Sequence, residues 1–225
     1  MSRSGRVAIV LGMLAVVIGL VVFAVMDFVA SSPPTVNFTA NHKPGKAVNL
    51  VLQTVGAIGF GPHPGWVSYL TRNPQGQWVH TTLWQVPADT TVHVTIYQYD
   101  TGSPLRNQQL GRVTGTAGGG GATLNGKPFK VINSYKLGVG HTFTIPALNV
   151  SVPLVGVSTT AKDQCSSAPC GTDEAHNVMK FTFKTPGTGD YRWQCFVPCG
   201  SGYLYGNGGP MSTVGYMGGF LKVVA

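Results

Sequence analysis

Twenty consecutive residues without a charge, Val7 to Met26, divide this chain into two regimes. At about 1.5 Å of rise per residue, such a run is long enough to cross a bilayer as a helix. Arg3 and Arg6 precede it, which places the N-terminus in the cytoplasm and the rest of the chain outside. The run is longer than the apolar core of a cleaved signal peptide, and Phe28-Val29-Ala30 is a poor small-x-small cleavage site, so it reads as an uncleaved anchor. The expected organisation is a cytoplasmic N-terminus and single-pass cell-membrane anchor over 1–30, a linker over 31–46 with Pro33, Pro34 and Pro44, and an extracytoplasmic domain over 47–225.

Beyond residue 30 no long segment carries a 3.6-residue apolar period. The chain has 31 glycines and 15 prolines, which suits many short strands joined by turns. Asp89 to Tyr99 sets Val92, Val94 and Ile96 against His93, Thr95 and Tyr97, the period-2 signature of a half-buried strand. A second alternating strand, Asn177 to Thr185, offers Val178, Phe181 and Phe183 as apolar anchors, and Asn73-Pro74-Gln75-Gly76 is a good turn. His141 to Val157 reads as one strand with Phe143, Ile145 and Leu148 toward the core, and Gly218 to Ala225 closes the sheet. The expected fold class is all-β, an antiparallel sandwich or barrel with Greek-key links.

Composition and motifs exclude several functions. Net charge is +8, from 15 basic and 7 acidic residues. The bases are scattered without interleaved aromatics, so no nucleic-acid partner is expected, while a basic face suits an acidic protein or anionic lipid. The glycine-rich stretch Gly115 to Gly121 lacks the Lys-Ser/Thr of a phosphate-binding loop, and neither a G-x-S-x-G nor an H-E-x-x-H pattern occurs. Asp173-Glu174 is a lone acidic pair in a polar loop. No catalytic activity of the chain's own is indicated.

The chemistry concentrates between Gly189 and Gly209, where a short strand runs into a glycine-rich loop carrying Cys195 and Cys199. His141 lies upstream and Met211 downstream. One imidazole, two thiols and a thioether form a soft donor set that favours copper or zinc over magnesium or calcium. With Cys165 and Cys170, the four cysteines can also form two disulfides in any of three pairings. A four-cysteine zinc site is a further option, although C-x4-C-x24-C-x3-C is not a standard zinc-ribbon spacing.

His-Thr-Phe-Thr-Ile-Pro-Ala-Leu from His141, followed by Gly-x-Tyr-x-x-Gln-Cys-x3-Cys-Gly from Gly189, resembles the periplasmic cupredoxin domain of cytochrome c oxidase subunit II. The resemblance implies a cupredoxin-like Greek-key β-sandwich. It also implies a copper A type centre, with His141, Cys195 and Cys199 on ligand positions. The family's second histidine and its methionine fall on Tyr203 and Gly206 here. Met211 or Met217 can supply the thioether, Met211 being the one taken into the ligand set, and His176, in the Ser158–His176 insertion, is the candidate second imidazole. The function implied by the resemblance is respiratory electron transfer through copper, in company with membrane-complex subunits or a redox partner protein. The alternative is a copper-free, disulfide-stapled structural or docking subunit of a membrane complex.

Overall fold

The computed structural model describes residues 2–30, 32–40, 42–200, 202 and 208–225. The chain divides into two compact units, Met1–Ser32 and Pro33–Ala225. The first is helix α1 (Arg3–Ala30). Its stretch Arg3–Met26 is long and apolar enough to cross a membrane.

The second unit is built of strands. In chain order those described are β1 (Thr35–Asn37), β2 (Val48–Val55), β3 (Ser68–Arg72), β4 (Trp78–Val79), β5 (Leu83–Pro87), β6 (Thr91–Gln98), β7 (Ala122–Leu124), β8 (Lys127–Phe129), β9 (Val139–Ile145), β10 (Val150–Val155), β11 (Asn177–Lys184), β12 (Gly189–Gln194) and β13 (Gly218–Val224). They form two sheets, β1-β5-β13-β12-β9-β10 and β4-β3-β2-β6-β11-β7-β8. The chain crosses between sheets from β4 to β5 and back from β5 to β6, so strands adjacent in sequence are often in opposite layers. The expected all-β sandwich is present, but its sheets are mixed rather than antiparallel. The pairs β1–β5, β5–β13 and β2–β6 are parallel, because the connections between these partners pass through the other sheet.

Period-2 patterning explains which faces meet. On β6, Val92, Val94 and Ile96 are buried, as the alternation requires. On β11 the buried set is Met179, Phe181 and Phe183, while Val178 lies on the opposite face and is only half-buried. The anchor expected at Val178 therefore shifts by one residue, because Met179, two residues before Phe181, is in step with both phenylalanines. From the facing sheet, Phe143 on β9 reaches across to Phe181 and Phe183, with ring centroids at 5.3 and 6.3 Å. Behind it, Trp193 stacks on Phe143 at 5.7 Å and on Trp84 at 4.9 Å. These rings form the centre of the core.

Two segments depart from the sequence expectation. The stretch from His141 to Val157 is not one strand. Pro146 opens a 3-10 turn over Pro146–Leu148, where its missing N–H breaks the ladder, and Asn149 turns the chain with φ 53°. Strand β10 then pairs back on β9, with Ile145 opposite Val150 and His141 opposite Leu154. The stretch read as linker also contributes to the sandwich. Thr35–Asn37 pairs with β5 and Val36 is buried.

Within the Ser158–His176 insertion a Cys165–Cys170 disulfide closes a short loop, and hydrogen bonds and packing join that loop to the sandwich. Gln53 exchanges two hydrogen bonds with Cys170, its amide donating to the carbonyl at 2.8 Å and accepting from the N–H at 3.0 Å. Cys170 also packs with Val55, Ile58, Leu70, Tyr99 and Tyr216 in a second apolar cluster. Replacing Phe143 by Ala in the Pro33–Ala225 unit is expected to destabilise it by about 3–5 kcal/mol. Denaturant unfolding measures this, and a loss below about 1 kcal/mol would place the core elsewhere.

Candidate metal centre

Strand ends of one sheet bring the site together. His141 is the third residue of β9 and is 1% exposed. Cys195 directly follows β12 and is wholly buried. The two strands touch through the Gln194–Thr144 pair, and Phe196 N–H donates to Thr142 Oγ1 at 2.8 Å. Cys195 is thus locked beside the start of β9. Four residues on, Cys199 turns its sulfur back to 3.4 Å from Cys195 Sγ.

Asp100, just beyond β6, orients the imidazole. His141 Nε2–H donates to Asp100 Oδ2 at 2.9 Å, and Thr101 N–H donates to Asp100 Oδ1 at 2.7 Å. The approach needs a glycine at 140, because a Cβ there would sit 2.6 Å from both Gln98 Nε2 and the Thr101 carbonyl. With Nε2 engaged, Nδ1 faces Cys195 Sγ at 3.7 Å. A carboxylate holding the outer nitrogen of a histidine whose inner nitrogen faces thiols is the arrangement that fixes tautomer and ring plane at metal sites.

The electrostatics follow from this packing. Burial pulls the His141 pKa down, but Asp100 and Cys195 outweigh it and hold the value up at about 9. Burial pushes the Cys195 thiol up; hydrogen bonds from Cys199 and His141, with Thr142 N–H at 3.4 Å, overcome this and drive it well below the ordinary range. Cys199 is pushed up, first because its S–H serves Cys195 and then by burial. The His141 and Cys195 shifts act in one direction, favouring a Cys195 thiolate paired with a charged His141 in the metal-free site, with Cys199 Sγ as hydrogen-bond donor to Cys195 Sγ.

His141 Nδ1, Cys195 Sγ and Cys199 Sγ all lie within 4.8 Å of one another. Donors about 2.0–2.3 Å from one tetrahedral ion are about 3.3–3.8 Å apart. The nitrogen–sulfur separation of 3.7 Å and the sulfur–sulfur separation of 3.4 Å fall in that range. The donor set fits a soft ion without rearrangement. A cleft of about 370 Å³, lined by Trp66, Val67, Cys199, Gly200 and Pro210, opens beside Cys199.

Of the other expected site residues, Met211 is close and His176 is not. Met211 packs against the same core cluster as Cys195 and Cys199, and its N–H donates to the Gly200 carbonyl at 3.2 Å, so the loop returns it beside Cys199. His176 does not join the group. Its Nδ1 is 2.6 Å from the Glu174 carbonyl and its ring lies against Tyr99 and Tyr97, with centroids at 5.1 and 5.7 Å. Tyr203 and Gly206 lie outside the described residues. Of the open disulfide pairings, the structure takes Cys165–Cys170 and leaves Cys195 and Cys199 as thiols. Sequence reasoning missed Asp100, which is 41 positions from His141; the Asp-Thr-Gly that ends an alternating strand was the one available signal.

No protein-family model matches the chain, and no curated protein matches it. Among solved structures it is similar to rusticyanin. A histidine-to-methionine variant of that protein shares 18% identity, covering 86% of this chain and 84% of the other, at a TM-score of 0.38. Rusticyanin from Thiobacillus ferrooxidans shares 18%, covering 84% and 82%, at 0.36, and the reduced protein 17%, covering 84% of each, at 0.35. At this level of likeness nothing of rusticyanin's function transfers to the chain, and the site rests on its own geometry.

That geometry sets two expectations. A thiol-specific reagent applied to the denatured, unreduced protein should label two cysteines, Cys195 and Cys199; none labelled would mean that the sulfurs are joined. Asp100→Asn removes the charge that holds the imidazolium. The thiolate absorbance of the metal-free protein at neutral pH should then fall well below that of the parent, and an unchanged absorbance would remove Asp100 from the site.

Proposed function

We propose that the chain is a membrane-anchored, cupredoxin-like copper protein that carries single electrons, similar to cytochrome c oxidase subunit II. The observation that carries this reading is the meeting of His141 Nδ1 with two unoxidised thiols 3.4 Å apart, in a unit whose other two cysteines are oxidised. Soft sulfur donors suit Cu(I) and imidazole also serves Cu(II). Copper bound here would supply a one-electron couple. The chain's own part is to hold the donors still. His141 and Cys195 sit on paired strands, Asp100 fixes the imidazole, and Thr142 N–H steadies the Cys195 sulfur. Fixed donors keep the geometry nearly the same in both oxidation states. Met211, beside Cys199, is the proposed further ligand.

The setting is part of the same proposal. Helix α1 anchors the protein in the cell membrane with its N-terminus cytoplasmic, and the Pro33–Ala225 unit works outside with a redox partner or the subunits of a respiratory complex. The run of apolar residues and the arginines before it support this reading.

The test is a copper titration of the full chain in detergent, with visible and electron paramagnetic resonance spectra and a metal count. Intense thiolate-to-copper bands with retained copper are expected. Cys195→Ser, Cys199→Ser and His141→Ala should each abolish them, whereas His176→Ala should leave them intact. A parent protein that retains no copper and shows no bands would overturn the reading in favour of a copper-free scaffold.

A further inference from the structure

Tyr69 on β3 is a buried group to which the metal centre gives no evident purpose. Its side chain is wholly buried, and among the described residues its hydroxyl is the one buried side-chain polar atom with no hydrogen-bond partner. Such atoms are rare, because the water they give up on folding is not replaced. Its surroundings point to the thiols. Tyr69 N–H donates to the Tyr216 carbonyl and Cys195 N–H donates to the next one, that of Met217, at 3.2 and 2.9 Å. The two residues therefore hang from consecutive carbonyls of one segment. The Tyr69 ring stands edge-on to Trp193, at 4.9 Å between centroids, and Trp193 is two residues before Cys195. Two residues before Tyr69, Val67 lines the cleft beside Cys199.

We propose that Tyr69 is a positioning residue whose hydroxyl donates a hydrogen bond to sulfur of the Cys195–Cys199 pair once the pair holds metal, favouring the reduced centre. This rests on the copper reading above. In the metal-free site, Cys195 Sγ already has the Cys199 S–H and the Thr142 N–H as donors. Metal binding needs both sulfurs as thiolates, so the Cys199 proton leaves and that S–H donor is lost. The buried Cys195 thiolate is then left with the Thr142 N–H as its described backbone donor, and the Tyr69 hydroxyl is the unpartnered donor in the same core cluster. Its proton is firmly held, since burial and then the charges of Cys195 and Cys199 push its pKa up. Sulfur carries more negative charge opposite Cu(I) than opposite Cu(II), so a donor to sulfur stabilises the reduced state more.

The experiment compares the full chain with Tyr69→Phe, both in detergent, with and without copper. Phenylalanine keeps the ring against Trp193 and removes only the hydroxyl. The thiolate-to-copper band is expected to move to lower energy, the reduction potential to fall, and the ratio of Cu(I) to Cu(II) affinity to drop several-fold. Without metal, the thermal midpoint should hold or rise, because an unpartnered buried hydroxyl has been deleted. Bands and potential equal to the parent's would overturn the role of Tyr69 while leaving the copper reading standing. Copper binding lost in a folded variant would overturn it as well, by making Tyr69 a ligand. A lowered metal-free midpoint would do the same by showing that the hydroxyl has a partner without metal. A parent that takes up no copper overturns both readings.

Discussion

The hydrogen bond between His141 and Asp100 is the contact on which the rest of the site depends. His141 is 1% exposed, and a charged imidazole so deep is costly unless paired. Asp100 supplies the pairing at 2.9 Å and keeps a solvent-facing edge of its own, at 24% exposure. Removing one member of such a pair costs about 3–5 kcal/mol, most of it the burden of the charge left behind. The bond also sets direction. With Nε2 committed to Asp100, Nδ1 is the nitrogen left to face the thiols, and the Cys195 thiolate is held there by the imidazolium it faces. Orientation and charge thus come from the same contact.

That contact is possible because of the sandwich around it. Asp100 lies two residues beyond the end of β6, a strand of one sheet, while His141 lies on β9 in the other. The sheets are held face to face by Phe143, Trp193 and Trp84 on one side and Phe181 and Phe183 on the other. Phe143 is two residues from His141 and Trp193 is two from Cys195. Alternation along a strand puts residues two apart on one face, so the rings that build the core aim the donors at its edge. Packing and chemistry share the same strands, which is why the site is preorganised.

How much of this is legible in the sequence depends on the range of the interactions involved. The long apolar helix and the period-2 strands are written in neighbouring residues, and Val92, Val94 and Ile96 are readable as a buried face. His141, Cys195 and Cys199 can be named because they sit in short motifs with a family resemblance, and the structure brings those three together. Asp100 cannot, since its partner is 41 residues away and reaches it only after the sheets have formed. The phase of β11, by contrast, is local: Met179, Phe181 and Phe183 are two apart and share the buried face, and Val178 is out of step with both phenylalanines. The hairpin at Pro146 carries a local signal, a proline inside an apolar strand, that outweighs the continuity of the pattern. His176 is a fair candidate by residue type, yet its insertion is drawn to Gln53 and Tyr99 at the disulfide, and the ring is spent on aromatic contacts there.

The spacing between Cys199 and Met211 is where sequence distance misleads most. Twelve positions look too many for one compact site, but the loop is closed at its neck. Gly202 and Gly208 form a bridge, and a Cβ at Gly209 would collide with the backbone of Gly202. Only glycines allow the two arms to lie this close. Gly200 adopts φ 105°, a conformation that side chains disfavour, and so bends the first arm away directly after Cys199. What matters for Met211 is therefore the width of the neck rather than the length beyond it. A loop cinched by glycines can grow without moving the residues at its base. With the neck closed, Met211 N–H meets the Gly200 carbonyl directly after Cys199, and the sequence distance between the two side chains ceases to matter.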